Sequence, residues 1–305
     1  MARRIDELLL CIEKRHPRSL QGVLEARAVD LAAFERCAER FLSWAVGAIG
    51  LDAIPRAVAA FARFSSDVNL AQGRYEINGR YENKSYAECK RALYDKYEAM
   101  SDYLWGIYLT NFLWAHHMEL MLFFELRFVC RLRPGWRIIE LAPGHGGWGL
   151  SALHAVPGTG LTGFDISAAS LTIATDLSIA AGLAQRTSYI QRDALQLQDE
   201  PSMQADACIC CFLVEHLERP AELLRTMAHV LAPGGLAFFT GALTAAQVDH
   251  IQEFRRESEL VALAEAHGFR VQETLSVAPA RLLPNARFLP RSMGLVMHKR
   301  KHDTW

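Results

Sequence analysis

At 305 residues with 51% hydrophobic side chains, the chain exceeds one average domain and carries ample apolar material for a large core. Its net charge of -1 excludes the chain-wide field expected of a nucleic-acid or anionic-membrane binder, so a small molecule is the expected partner. The start, MARRIDELLLCIEKRH, holds Glu and Asp inside its apolar run and does not read as a secretory signal.

Residues 1–133 read as a helical domain. Apolar residues recur at three- and four-residue spacing in IDELLLCIEK, AAFERCAERFLSWAVGAI and AVAAFARF. Gly50, Pro55 and the polar run Asn69 to Arg80, with Gly73 and Gly79, are expected to punctuate these helices. A second helical block is expected from about Ser85 to Arg131, with a break or kink at Gly106 and near His116 and His117. The stretch Tyr103 to Met118 lacks Asp, Glu, Lys and Arg but is too short for a membrane span, so no membrane partner is expected. An exposed apolar face on the first helices would mark a homodimer.

From Pro134 the pattern changes, and residues 134–305 read as a second domain. Short apolar runs, RIIELA, GLTGFDI, TSYIQRDA, DACICCFL, GLAFFTGAL, FRVQETLSV and SMGLVMHKR, alternate with helical segments such as Ala168 to Ala181, Pro220 to Leu231 and Glu257 to His267. This alternation predicts an α/β fold with a mainly parallel sheet and helices on both faces. The seven cysteines, Cys11, Cys37, Cys89, Cys130, Cys208, Cys210 and Cys211, show no paired CxxC or Cys/His ligand spacing. They read as reduced thiols of a cytoplasmic protein, and no metal is expected.

The first strand runs into Glu140-Leu141-Ala142-Pro143-Gly144-His145-Gly146-Gly147-Trp148-Gly149, a glycine-dense loop opening a helix near Trp148. Glycines allow a tight turn and a close backbone approach where open α/β sheets bind ligands, which by itself also suits a nicotinamide site. Asp165, closing the next strand, can accept both hydrogen bonds of a ribose diol, so loop and acid together indicate a nucleoside.

At these residues the sequence resembles the class I S-adenosylmethionine (SAM)-dependent methyltransferases, over the whole stretch from Pro134 to Arg300. Glu140, Ala142, Gly144, His145 and Gly146 stand for the SAM loop, Asp165 and Ile166 for the ribose acid and adenine neighbour, and Asp193 with Ala194 for the adenine-edge pair. Phe212 to Leu217 looks like the segment after strand four, and Leu231 to Gly235 like the turn before strand five. The resemblance implies a Rossmann-like, seven-stranded, mostly parallel sheet, here with an all-helical N-terminal cap, and SAM as the bound molecule. Ala142 departs from the family's usual glycine, which puts the loop's conformation in question.

Glu215 and His216 would either cap the next helix or stand near the SAM amino acid moiety. His145 reads as positioned by the backbone, without proton transfer. Asp249 and His250 read as a solvated helix face. Seven of the eight tyrosines lie between Tyr75 and Tyr108, joined by Trp105, Phe112 and Trp114. Such a stripe is either core or a lid whose ring faces stabilise the sulfonium by roughly 0.5 to 2 kcal/mol each.

With Tyr94-Asp95-Lys96-Tyr97, Ala246 to His250 and Pro290-Arg291-Ser292, the whole chain is similar to bacterial azetidine-2-carboxylate synthases of peptide natural-product pathways. This likeness implies that the SAM α-amine attacks its own γ-carbon and methylthioadenosine departs. Tyr94, Tyr97, Asn111, Trp114, His116, Glu215 and His216 are the candidates for holding the reacting end, with His116 or a water taking the proton. The alternatives are methyl transfer to an external amine, hydroxyl or carboxylate, served by His116, His117, Glu215 or His250, and SAM binding without chemistry.

Overall fold

The computed structural model describes residues 3–82 and 85–301, so the outermost ends of both expected domains lie outside it. Seven α-helices come first: α1 (Arg4–Arg15), α2 (Pro17–Val29), α3 (Leu31–Ile49), α4 (Ala53–Asn78), α5 (Tyr86–Cys89), α6 (Tyr97–Leu113) and α7 (Ala115–Phe123). The three- and four-residue spacing has its usual cause. In α1 it turns Ile5, Leu8 and Ile12 onto one buried stripe, and in α3 it buries Phe34, Ala38, Phe41 and Ala45. The Asp30 side chain caps α3 by accepting the Ala33 N–H at 2.9 Å.

The break expected across Asn69 to Arg80 falls only at its far end, where Gly79 caps α4 with φ 69°, and the one expected at Gly106 is absent. α4 runs unbroken through Asn69 and Gly73 to Asn78, because tertiary contacts hold its polar end. Gln72 Oε1 accepts the Ala246 N–H at 2.9 Å, and the Tyr75 hydroxyl donates to Glu253. Gly106 lies inside α6 without a kink, and it serves a close helix crossing. A Cβ there would stand 2.7 Å from Phe64 Cβ and 2.9 Å from the Ala60 carbonyl oxygen of α4. Gly106→Ala is therefore expected to cost about 1–3 kcal/mol, read as a lower urea midpoint at unchanged slope. The break near the histidines does occur, at Trp114, whose extended backbone (φ -103, ψ 127) separates α6 from α7.

The sheet follows, with β1 (Arg137–Leu141), α8 (Gly147–Ala155), β2 (Gly160–Asp165), α9 (Ala168–Ala180), β3 (Thr187–Gln191), β4 (Ala205–Cys210), α10 (Pro220–Val230), β5 (Leu231–Leu243), α11 (Glu257–Ala266), β6 (Phe269–Val277) and β7 (Arg291–Lys299). Its order is β3-β2-β1-β4-β5-β7-β6, parallel from β3 to β5, with β7 antiparallel to both neighbours. This is the mainly parallel α/β sheet that the alternating pattern predicts, with the seven strands and Rossmann-like order that the resemblance implies. The Leu231 to Gly235 turn is a bulge within β5, where the register to β4 shifts.

The apolar core does not stop between the helices and the sheet. On one face α3 and α6 to α9 pack with Ile138, Ala207 and Phe238 of the strands, and Phe124 meets the rings of Trp148 and Phe238 at 5.1 and 4.8 Å. On the other, Leu223 and Met227 of α10 and Leu260 of α11 cover Phe239 and Leu295. No single helix among the described residues is long and apolar enough to cross a membrane.

Candidate active site

The strand order reverses between β1 and β4, which opens a crevice at the carboxyl end of the sheet. The loop after β1 forms its floor. Ala142, Gly144 and Gly146 all take positive φ, at 51, 55 and 73°. The two glycines do so at little cost, whereas Ala142 stores roughly 1 kcal/mol of strain at the point where glycine would relieve it.

Asp165, at the end of β2, is buried and anchors this loop. Its Oδ2 accepts the Gly144 N–H at 3.1 Å and its Oδ1 the Ser167 N–H at 2.9 Å. Burial pushes its carboxyl up to about 6, against the opposing pull of these donors. Asp165 also lines the cavity, where a carboxylate can accept from a diol. Asp193 is similarly pinned, accepting the Leu195 N–H at 2.9 Å beside Ala194. The floor with Asp165 and Asp193 therefore offers the backbone turn and carboxylates that suit a nucleoside ligand.

Helices α6 and α7 roof the crevice and touch both of its lips. Leu104 lies 3.3 Å from the Cβ position of Gly144, and the Asn111 amide lies 3.2 Å from His145 Nε2. At the β4 side His117 stacks on Phe212, with ring centroids 5.3 Å apart, and Trp114 stacks on His116 at 5.3 Å. Burial alone holds His116 down to about 4, and burial with the neighbouring His116 holds His117 well below its ordinary value. The roof is uncharged. His145 accepts the Gly147 N–H through Nδ1 at 2.9 Å, so the loop fixes its ring, and burial holds it down to about 4.

Beyond the roof the cavity ends on a polar wall. The Tyr94 hydroxyl is 3.1 Å from both His216 Nδ1 and Asp249 Oδ2, and Tyr103 donates to Asp249 at 3.0 Å. Burial opposes the charge of His216, but Asp249 at 3.3 Å overrides it and raises its affinity for a proton, while His216 in turn holds Asp249 low. Glu215 is fully buried, and neither carboxylate oxygen has a partner among the described residues. Burial pushes it up to about 7.

The cavity, about 670 Å³, unites most of the candidates: Tyr94, Trp114, His116, Ala142, Gly144, His145, Asp165, Ile166, Asp193, Ala194, Phe212, Glu215 and His216. That volume is ordinary for a small-molecule site. Four candidates do not line it. Tyr97 is 47% exposed at the start of α6, Asn111 stands behind His145, and Gly146 packs toward Ala174. Glu140 lies under the loop, where its Oε1 accepts the Gly149 N–H at 3.1 Å, because no side chain at Gly149 fills that space.

Asp249 and His250 are 1% and 2% exposed, which overturns their reading as a solvated face. Glu215 and His216 cap no helix either, since they sit in a 3₁₀ turn (Val214–His216) ahead of α10. The aromatic stripe divides between both readings. Tyr75, Tyr108 and Phe112 are core, while Tyr86, Tyr94, Tyr103 and Trp114 line the cavity. Tyr103 carried no separate signal within the stripe.

Residues 138–235 match a family described as a methyltransferase domain. The chain is 33% identical over 106 residues to a ubiquinone biosynthesis O-methyltransferase of Ralstonia nicotianae, which is 35% of this chain and 43% of that protein. It is 31% identical over 106 residues to the protein of the same name from Pseudomonas aeruginosa, which is 35% of this chain and 44% of that protein. The chain thus spans less than half the length of the curated relatives it matches. A phosphoethanolamine N-methyltransferase 2 of Haemonchus contortus, solved with phosphomonomethylethanolamine and S-adenosylhomocysteine, shares the fold at TM-score 0.53 and 14% identity, covering 72% of this chain and 62% of that one.

Proposed function

We propose that the chain, whose residues 138–235 match a methyltransferase domain, consumes SAM and closes it to azetidine-2-carboxylate with release of methylthioadenosine. The supporting observation is the uncharged ring roof formed by Trp114, His116, His117 and Phe212 over the β1/β4 crevice. SAM supplies a sulfonium that activates its neighbouring carbons for displacement.

Ring faces stabilise one such cation by roughly 0.5 to 2 kcal/mol each. The same burial that keeps His116 neutral disfavours a second positive charge beside the first. An α-ammonium ordinarily titrates near roughly 7.7 to 8.0, so the roof favours its neutral, nucleophilic form at physiological pH. Its proton passes to solvent, since His116 at about 4 is too weak a base to keep it. The amine nitrogen then bonds to the γ-carbon, the carbon–sulfur bond breaks, and the electron pair leaves on sulfur. Packing of Leu104 on the loop holds the roof in place to keep the chain folded toward attack and to exclude water. Free cysteines throughout suit a cytoplasmic setting.

A second reading rests on the cavity's extent. Its continuation to Tyr94, Tyr103 and Asp249 leaves room for a small acceptor, to which the methyl group would be transferred. Incubation with SAM alone, followed by mass spectrometry against an enzyme-free control, separates the two. Enzyme-dependent methylthioadenosine and azetidine-2-carboxylate are expected. Intact SAM, with S-adenosylhomocysteine appearing only when an amine, hydroxyl or carboxylate compound is added, would replace the cyclase with a methyltransferase. No turnover under either condition would leave a SAM-binding protein.

A further inference from the structure

We propose that Glu215, His216 and His250 bind a divalent transition-metal ion, zinc foremost, in the wall of the cavity. Their ligand atoms lie within 4.8 Å of one another. The sequence gives no metal-ligand spacing here, because two ligands follow β4 and the third follows β5. Two backbone hydrogen bonds tie those segments together: the Ile251 and Gln252 N–H groups both donate to the Glu215 carbonyl, at 2.8 and 2.9 Å.

The hydrogen bonds around the two imidazoles are those of metal ligands. His250 Nδ1 stands 2.6 Å from the Ala245 carbonyl, an acceptor only, so that nitrogen carries the proton and Nε2 is the ligating one. His216 Nδ1 faces the Asp249 carboxylate, which assigns Nε2 the same role. A carboxylate or carbonyl behind each ring is what orients a ligating histidine and raises its basicity.

An independent observation points to a cation. The Glu215 carboxylate is fully buried, its two oxygens have no partner among the described residues, and it lines the cavity. Such a group is costly unless it keeps its proton or a positive ligand completes it. Two imidazoles with one carboxylate suit zinc, and three protein ligands leave a coordination position open to the cavity, as catalytic zinc sites do. Around an ion at about 2.1 Å, tetrahedral ligands stand roughly 3.4 Å apart, so binding draws these side chains inward by rotation.

The test is a titration of the full chain, stripped by chelation and dialysed, with zinc chloride in a calorimeter, with bound zinc counted by elemental mass spectrometry. One zinc per chain is expected, with affinity at least roughly 100-fold weaker in both Glu215→Gln and His250→Ala and unchanged in His229→Ala, on α10 outside the cavity. Glu215→Gln preserves side-chain shape, and thermal melts establish that each variant is folded. Absence of stoichiometric zinc, or equal retention by both ligand variants, overturns the site, and so does binding of methylammonium without zinc. The readout needs no SAM, so its failure leaves the SAM reading standing.

Discussion

Asp165→Ala should weaken SAM binding by at least roughly 100-fold, measured by calorimetry on the folded variant. Hydrogen bonds to a charged group contribute about 1.5–3 kcal/mol each, and the ribose diol makes two of them in the proposed site. The substitution also removes the acceptor that holds Gly144 N–H at 3.1 Å, so the loop under the ligand loses its anchor. Asp165→Asn keeps one acceptor oxygen and should fall between the two. Near-normal binding by Asp165→Ala would remove this residue from the ligand site.

Glu140 should make the ligand-free protein less stable as pH rises. Burial pushes its carboxyl up to about 8, from an ordinary value near 4.5. Between those limits the folded chain keeps a proton that the unfolded chain has lost, so unfolding free energy falls with increasing pH, by up to about 1.4 kcal/mol per unit. The contribution is fully present below about pH 4.5 and is lost as pH rises through about 8. Asp165, pushed up to about 6, adds a slope of the same sign over a narrower range.

Glu140→Gln keeps the acceptor for Gly149 N–H and has no charge to bury. It should therefore flatten the dependence, losing on the order of 3 kcal/mol less than the parent between about pH 5 and about pH 8 in urea denaturation. Equal slopes in the two proteins would show that Glu140 is ionised in the folded state at neutral pH.

Local pattern was sufficient wherever neighbours in sequence are neighbours in the site. The apolar runs RIIELA and GLTGFDI became β1 and β2, and the loop between β1 and α8 carries its own turn chemistry in Gly144 and Gly146. Asp165 follows from position alone, since it ends the strand beside that loop.

Pattern misled where distant contacts decide. Asn69 to Arg80 looks like a helix breaker throughout, yet Gln72 and Tyr75 reach the segment after β5 and keep α4 helical until Gly79 ends it. Gly106 looks like a hinge, but it is the gap through which α6 approaches Ala60 and Phe64. Asp249 looks solvated because its neighbours in sequence are polar, and it is buried because Tyr94, Tyr103 and His216 converge on it.

The sequence by itself determined the α/β alternation, the glycine loop and the acid that faces it, because each depends on backbone preference and periodicity within a few residues. Only the tertiary structure decided what stands opposite the loop. The ring roof and the Tyr94, Tyr103, Glu215, His216 and Asp249 wall are assembled from segments far apart in the chain, and periodicity carries no information about which segments meet. Their burial, and with it the suppression of charge in the roof and the raised carboxyl of Glu215, exists only once those segments have packed together.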